Sequence, residues 1–362
     1  MTRVPRTMRY LFVTALVAML TFGSFAAISA QDASPEASPA ALTTSISEVA
    51  FITPASVTNL GWDQQGADGV TAAAAAFGIE ALVQENGGYD DITPALKDLA
   101  DEGAGLIICH ASGYQTTCPD FAASDGVPVA VIENPSAVGE LVADIETQAQ
   151  EVAYLAGVLA GLSTTTGTVG VVVSGEPPTW NYMTVGFAEG LKASNPDASL
   201  IYSVIGEAAY DDAAGAKRVT EQQLAAGADI IFGMGDGASF GMIEAIREHN
   251  EANADTPAWF IDVIGDKTAD YSDVLLTSVL FDYSGVYEQI IANVGTADFG
   301  QVYTMNVENG GVRLLDLPDS VAQETKDAVA AAQEEIIGGT VTVSAVGDAE
   351  GVSAKLSELG YS

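Results

Sequence analysis

The chain carries one short phrase twice, reading GAGLII at Gly103–Ile108 and GADIIF at Gly227–Phe232. Each phrase follows a stretch of helical character, Ile92–Glu102 and Ala213–Ala226, and each apolar run ends in small or polar residues. This order predicts a helix, a tight glycine turn and a buried parallel strand in each half of the chain. Two similar α/β lobes on one chain would place a ligand cleft between them.

Apolar runs and helical stretches alternate along the rest of the chain. A long helix is expected over Ile145–Leu162, where small residues recur. Strands alternating with helices are typical of doubly wound parallel sheets. The predicted strands are Ser45–Pro54, Ile79–Glu85, Ala104–His110, Val127–Glu133, Thr168–Ser174, Leu200–Ile205, Ala258–Ile264 and Val274–Leu280.

The order of these elements predicts two discontinuous lobes. The first is expected over 45–134 plus 272–297, so that the strand Val274–Leu280 returns to it. The second is expected over 135–271 plus 298–350, and a tail follows at 351–362. Several strands crossing between the lobes would form a hinge, and a hinge allows closure around a ligand.

The first thirty residues have the pattern of a signal peptide. Arginines precede an apolar run at Tyr10–Phe25 and a small-residue ending, so cleavage before Gln31 is expected. Retention as an anchor is the alternative, because the apolar run approaches membrane-spanning length. Residues 31–44 are rich in Ala, Ser and Pro, and we expect a flexible linker there. No cysteine lies near the cleavage site, so lipid attachment is not expected.

The acidity of the chain limits its partners. It has 49 Asp+Glu against 12 Lys+Arg, a formal net charge of −37. Such a surface repels phosphate backbones and anionic headgroups, which argues against a nucleic-acid partner. The hydrophobic content of 48% is sufficient for real cores.

The rare histidines and cysteines limit the chemistry. His110 and His249 lie far apart, and no zinc pattern or Ser-His-Asp arrangement emerges, so neither a metal nor a cofactor is expected. Cys109 and Cys118 are the only cysteines, and in an exported protein a disulfide between them is expected. It would be either a staple at the cleft rim or a plain loop closure.

The candidate ligand contacts follow the carboxyl ends of predicted strands, where ligands bind in open α/β sheets. Trp62 could stack on a planar ring or be an ordinary packed residue. Asp236 could accept hydrogen bonds from a sugar diol or cap the next helix. Phe187 fits a core position as well as a cleft position. The full expected set is Trp62, Asp63, Gln64, Ser112, Tyr114, Asn134, Trp180, Phe187, Asp236, Gly237, Asp266 and Lys267.

Taken in order, these stretches resemble the basic membrane protein family of ABC-transporter substrate-binding proteins, also called the purine nucleoside receptor family. The resemblance runs from about Glu48 to Thr340. It departs from many members in lacking an Asp-Asp-Gly run with a Phe-Asn pair, and in lacking a lipidated cysteine. Its specific pieces are Gly61–Asp63, Tyr154–Gly157, Gly186–Gly190, Asn195–Pro196, Ala226–Asp229 and Leu276–Val279.

The resemblance implies a type I periplasmic-binding fold that delivers a purine nucleoside or base to a membrane permease. Trp62 and Phe187 would sandwich the base, and Asp63 would bond base or sugar. Asp236 would hold the ribose hydroxyls. The loop with Asp266 and Lys267 would add polar contacts, with Asp262 as the competing alignment.

We therefore expect a monomeric binding protein rather than an enzyme. A sugar or another small polar ligand, carried for transport or signalling, is the alternative within the binding class. A nucleoside hydrolase would need Asp63 and Asp236 as acid and base. It is disfavoured because the expected cleft has neither a histidine nor a calcium-type run of aspartates.

Overall fold

The computed structural model describes residues 42–361. In chain order the strands are β1 (Glu48–Ile52), β2 (Glu80–Gln84), β3 (Leu106–Cys109), β4 (Val129–Ile132), β5 (Val142–Thr147), β6 (Thr168–Val173), β7 (Ser199–Val204), β8 (Ile230–Met234), β9 (Trp259–Val263), β10 (Leu275–Phe281), β11 (Val302–Met305) and β12 (Val312–Leu314). The helices are α1 (Trp62–Phe77), α2 (Thr93–Glu102), α3 (Thr117–Asp125), α4 (Ala149–Ser163), α5 (Pro178–Ser194), α6 (Ala213–Ala225), α7 (Ser239–Ala252), α8 (Thr268–Tyr271), α9 (Ser284–Asn293), α10 (Gln323–Ile337) and α11 (Ala349–Glu358).

The strands form two six-stranded sheets, which confirms the predicted doubly wound α/β class. The first sheet has the order β11-β5-β4-β3-β1-β2, and its strands pair in parallel. The second has the order β12-β10-β9-β8-β6-β7, with β12 antiparallel to β10. The strand order reverses between β1 and β3 in one sheet and between β6 and β8 in the other. Such reversals are topological switch points, where diverging loops leave a crevice for a ligand.

Helices on both faces of each sheet explain the apolar strands. Every residue of β3, β4 and β8 is buried, so these strands read as continuous apolar runs rather than alternating ones. In the second lobe α4 packs directly on α5. A Cβ added at Gly157 would overlap the Phe187 carbonyl, and one at Gly190 would overlap the Tyr154 carbonyl. Two of the stretches that carry the family resemblance, Tyr154–Gly157 and Gly186–Gly190, therefore allow the close packing of α4 on α5.

The chain crosses between the sheets three times, from β5 to β6, from β10 to β11 and from β11 to β12. The strand predicted at Val274–Leu280 does not return to the first lobe, because β10 extends the second sheet beside β9. Of the segment 272–297, only the helix α9 returns to the first lobe, where it packs on α1. β11 then pairs with β5 in the first sheet, although 298–350 was expected in the second lobe. The exact lobe boundaries stay predictions.

Two further expectations differ from the structure. The helix predicted from Ile145 begins at Ala149, because 142–147 form β5 between β4 and β11. The segment 351–362 is not a loose tail: α11 packs on α5 and buries Val352 and Leu356. The predicted signal peptide and most of the linker lie outside the described residues. Within 42–361, no helix is both long and apolar enough to cross a membrane.

Candidate functional site

The loops at the carboxyl ends of the two sheets meet, and the candidate site lies between them. Thr179, at the start of α5, donates a hydrogen bond from its hydroxyl to the carboxylate of Glu133, which follows β4. Lys267, after β9, donates to the carbonyl of Leu60, after β1, at 2.9 Å. Each bond joins a loop of one sheet to a loop of the other, so the two lobes touch across the cleft.

Asp63 organises the loop at the first switch point. One carboxylate oxygen accepts hydrogen bonds from the Thr53 hydroxyl and, at 3.0 Å, from the Ala55 N–H. The other oxygen accepts from the Asn59 amide at 2.8 Å. These bonds fold the loop back onto the start of α1. A contact between Asp63 and a ligand stays a prediction, and the oxygen that has a single partner is the one open to it.

Trp62 is partly buried against a layer of aromatic side chains. Its ring stacks on His110 at 4.7 Å between centroids, and Tyr283 meets it edge-on at 5.6 Å. His110 also bonds the Tyr287 hydroxyl through Nδ1 at 2.9 Å, and burial lowers its pKa to about 4. The imidazole is therefore neutral at physiological pH. Since it covers one face of Trp62, only the opposite face is left for the ligand stacking that we predict.

Phe187 lies in the core of the second lobe rather than in the cleft. It is fully buried, and its ring is parallel to that of Phe232 at 4.4 Å between centroids. The close contact of α4 with α5 turns this face of α5 inward. The expected sandwich of a base between Trp62 and Phe187 therefore does not form in this arrangement.

The polar side chains of the loop after β9 also form their hydrogen bonds within the protein. The Lys267 ammonium is buried and donates to the Asp262 carboxylate and to the carbonyls of Leu60 and Ile264. These acceptors use its three donors, so it has none left for a ligand. Asp266 is exposed, and its carboxylate accepts the backbone N–H of Thr268 at the start of α8. The expected ligand roles of Lys267 and Asp266 are thus occupied by structural ones.

Asp236, unlike Lys267, has a polar side-chain atom that is left without a hydrogen-bond partner among the described residues. It follows β8 at the second switch point, in the left-handed region with φ +49°. Its Oδ1 atom is buried and accepts no hydrogen bond from the described residues. Burial, and then the negative charge of Asp63, raise the pKa of Asp236 to about 7. Gly237 beside it packs against Asp211, where a Cβ would collide with that carboxylate. A buried carboxyl oxygen without a partner is an acceptor available to a ligand.

Several other residues that we expected to contact the ligand form hydrogen bonds within the surrounding loops. The Gln64 side chain accepts a backbone N–H of its own loop at 2.9 Å. The Tyr114 hydroxyl donates at 2.7 Å to a carbonyl of the loop after β2, and the Asn134 amide donates at 3.0 Å to a carbonyl after β3. Ser112 is exposed beside them. Ligand contacts by these four residues stay predictions.

Tyr89 and Tyr210 are aromatic residues of loops near the candidate site that the sequence analysis did not single out. Tyr210 meets the buried Trp180, an expected contact, edge-on at 5.3 Å. Tyr89 lies after β2 and is 73% exposed. Both stand in loops without periodicity, so the only signal was a large aromatic residue beside turn-forming residues.

Carboxylates also gather where the first sheet meets α5. Burial, and then the charge of Asp144, raise the pKa of Glu133 to about 7, and the same causes raise that of Glu146 to about 7. Asp144 is fully buried, and its Oδ2 has no hydrogen-bond partner among the described residues. The cleft as a whole therefore presents acids and aromatic rings.

Cys109 and Cys118 form the expected disulfide, which joins the end of β3 to α3. It stabilises the segment that carries His110 and Tyr114. Among residues 42–361, no group of three or more His, Cys, Asp and Glu side chains is placed to hold a metal ion.

The Bmp family model, described as ABC transporter substrate-binding protein PnrA-like, matches residues 46–346. The chain belongs to this family. The resemblance noted from the sequence is confirmed, and so is the assignment to ABC-transporter substrate-binding proteins. The relatives of this PnrA-like protein are distant in sequence and near in fold.

Two relatives and one solved structure illustrate this. The chain is 23% identical over 288 residues to the transcriptional activator protein Med of Bacillus subtilis, covering 79% of this chain and 87% of Med. It is 28% identical over 205 residues to the ABC transporter nucleoside-binding protein BmpA of Lactococcus lactis, covering 53% of this chain and 57% of BmpA. An ABC-transporter solute-binding protein of Aeropyrum pernix superposes with a TM-score of 0.73 at 19% identity, covering 87% of this chain and 97% of that one.

Proposed function

We propose that this protein captures a purine nucleoside or nucleobase in the cleft between its lobes, for import by an ABC permease. The observation that carries the proposal is Asp236 at a topological switch point, a partly buried residue whose buried Oδ1 atom has no hydrogen-bond partner among residues 42–361. Such an oxygen is destabilising until a donor meets it, and a ribose hydroxyl or a base N–H is a donor of the right kind. The nucleoside-binding relative BmpA supports the same ligand class.

The charges of the cleft restrict that class further. Asp63 and Asp236 are acidic, and Lys267 is fully used within the protein. A phosphate group would meet this negative charge, and the ammonium of Lys267 would not be available to balance it. The ligand is therefore an uncharged nucleoside or base, and nucleotides are rejected.

We also propose that binding is not followed by chemistry, and that the protein acts as an exported monomer. His110, which lies behind Trp62, is buried and bonded through both ring nitrogens, so it cannot move a proton to a ligand. Residues 1–30 would serve as the export signal. The N-terminal sequence of the protein recovered outside the cytoplasm tests export, since cleavage would leave Gln31 first.

Calorimetric titration of the full chain with adenosine, guanosine, inosine, their free bases and AMP tests the ligand. Micromolar or tighter binding of a nucleoside or base, no binding of AMP and no release of free base is the expected result. Binding of arabinose or ribose in place of every purine would reassign the cleft to sugars. Conversion of the bound nucleoside would make the protein an enzyme.

A further inference from the structure

A groove lies where the chain crosses from β10 of the second sheet to α9 of the first lobe. It consists of two adjoining cavities of about 280 Å³ and about 270 Å³, which share the residues Asp282, Ser284 and Arg313. We call these two cavities together the hinge groove. The residues that we expect to contact the nucleoside do not line it, so the hinge groove is separate from the candidate site.

Both lobes form the walls of the hinge groove. Helix α1 of the first lobe supplies Asp68, and β12 of the second sheet supplies Arg313. The two walls are joined where the chain crosses, because the Phe281 N–H of β10 donates to the Gln65 side chain of α1 at 2.8 Å. A rotation of one lobe against the other about this junction would therefore change the width of the groove.

Arg313 is a cation whose side chain forms no ion pair within residues 42–361. It is exposed on β12, at the position that pairs with Leu280 of β10. The cavity that it lines also contains Asp68 and Asp282, so acids are near without neutralising it. A planar guanidinium has parallel N–H donors that match the two oxygens of a carboxylate. Arg313 is therefore available to a carboxylate from a ligand.

The acids beside Arg313 restrict what the groove can bind. The Asp282 carboxylate is in part engaged, because its Oδ1 atom accepts the Ser284 N–H at 3.1 Å. Asp68 is exposed on the opposite wall. A ligand with only a carboxylate would meet these acids, and a ligand with only an amine would meet Arg313. A molecule that carries both groups, as an α-amino acid does, meets opposite charge at each end.

We propose that the hinge groove is a second ligand site, which binds an α-amino acid as its zwitterion. The ligand carboxylate lies on the Arg313 guanidinium of the second lobe, and the ligand ammonium lies on the Asp68 carboxylate of the first. The amino acid thus bridges the two lobes and favours the lobe angle at which both contacts are made. The site itself is independent of the proposed function, and only its coupling to the cleft rests on that function.

Nuclear magnetic resonance titration of the isotope-labelled full chain tests the site. The probes are L-alanine, L-leucine, L-serine and L-glutamate, with propionate and ethylamine as controls that carry one charged group each. At least one amino acid should saturate the shifts of the Arg313 Nε–H and the Gly311 N–H at millimolar concentration or below. The controls should bind about tenfold more weakly, the effect of one lost charge-assisted hydrogen bond. Saturation by no amino acid, or equal binding of propionate, would overturn the proposal.

Two substitutions test the residues that we assign to the site. Arg313→Gln and Asp68→Asn should each weaken amino-acid binding about tenfold or more. Both residues are exposed, so the variants should fold as the wild type does. The matched control is Arg218→Gln, since Arg218 is an exposed arginine of α6 that does not line the groove. Unchanged affinity in Arg313→Gln would place the amino acid elsewhere and overturn the site.

Titration with adenosine separates this site from the proposed function. A saturating amino acid should change the affinity for adenosine, and adenosine should change the affinity for the amino acid by the same factor. Arg313→Gln should abolish both changes. An adenosine affinity that stays constant while the groove is filled would overturn the coupling. If adenosine does not bind at all, the proposed function fails, and the amino-acid titration still decides the site in the groove.

Discussion

At the residue scale, Asp63 and Asp236 stand at the two switch points and differ in how their oxygens are satisfied. Asp63 accepts three hydrogen bonds from its own loop, whereas the buried Oδ1 atom of Asp236 accepts none from the part of the chain that the structure describes. A buried acceptor without a partner is destabilising in the free protein. The same oxygen becomes favourable when a ligand donates to it, so Asp236 exchanges stability for binding.

We predict that Asp236→Asn stabilises the ligand-free protein by about 1 kcal/mol at pH 8 and weakens riboside binding about tenfold. The folded pKa of Asp236 is raised to about 7 from 3.8, so its charge opposes folding above pH 3.8, and fully so above pH 7. The gain should therefore shrink as the pH falls from 8 to 4. Thermal unfolding and titration with adenosine and adenine measure both effects.

Asp63→Asn is the matched control for that substitution. It disturbs three hydrogen bonds, so it should destabilise the protein by about 1–3 kcal/mol. Equal stability changes in the two variants would contradict the distinction between them. An equal loss of adenosine and adenine binding in Asp236→Asn would mean that Asp236 does not read the sugar.

At the scale of elements, the contact of α4 with α5 decides which side chains reach the cleft. Gly157 and Gly190 let the two backbones touch, and this turns Phe187 onto Phe232. We predict that Gly190→Ala destabilises the protein by about 1–3 kcal/mol or more, because a Cβ there meets the rigid carbonyl of Tyr154. Thermal unfolding measures it.

Gly285→Ala is the control for the helix glycines. It lies in α9 with no atom within 4 Å of an added Cβ. Alanine should therefore stabilise the protein there by about 0.4–1 kcal/mol, through the lower entropy of the unfolded chain. A melting temperature of Gly190→Ala as high as that of Gly285→Ala would show that α4 and α5 can move apart.

The same contact marks how far sequence reasoning could go. The repeated helix, glycine turn and buried strand predicted both sheets, because parallel strands buried on two faces are continuously apolar. The pattern failed for β5, whose sequence VADIET carries acids at alternate positions although the strand lies inside the sheet. It also could not place Phe187 or Tyr89. The rotation of a helix and the course of an aperiodic loop are set by tertiary packing, not by local pattern.

At the scale of the whole molecule, we predict that the contact between the two lobes depends on pH. The Glu133 carboxylate of the first lobe accepts the Thr179 hydroxyl of the second, and its pKa is raised to about 7 from 4.5. Burial, and then the charges of Glu133 and Glu146, also raise the pKa of Tyr182, and the charge of Asp144 contributes, after burial, to the raised pKa values of both glutamates. If the lobes part, water reaches Glu133 and its pKa returns toward the ordinary value. The form in which the lobes touch at Glu133 is therefore expected to bind an extra proton between about pH 4.5 and pH 7.

Closure, and with it ligand affinity, should consequently strengthen as the pH falls from 8 to 5.5. A group whose pKa is raised in one state favours that state as protons become available, by at most about tenfold per pH unit for one proton. Calorimetric titrations in buffers of different ionisation enthalpy should show proton uptake on binding near pH 6. Glu133→Gln, which keeps the shape and cannot titrate, should flatten this dependence and bind as tightly at pH 8 as the wild type does at pH 6. Asp236 also has a pKa of about 7 and lies beside the proposed ligand. If the affinity of Glu133→Gln depends on pH as steeply as that of the wild type, the proton is taken up at Asp236 and not at Glu133.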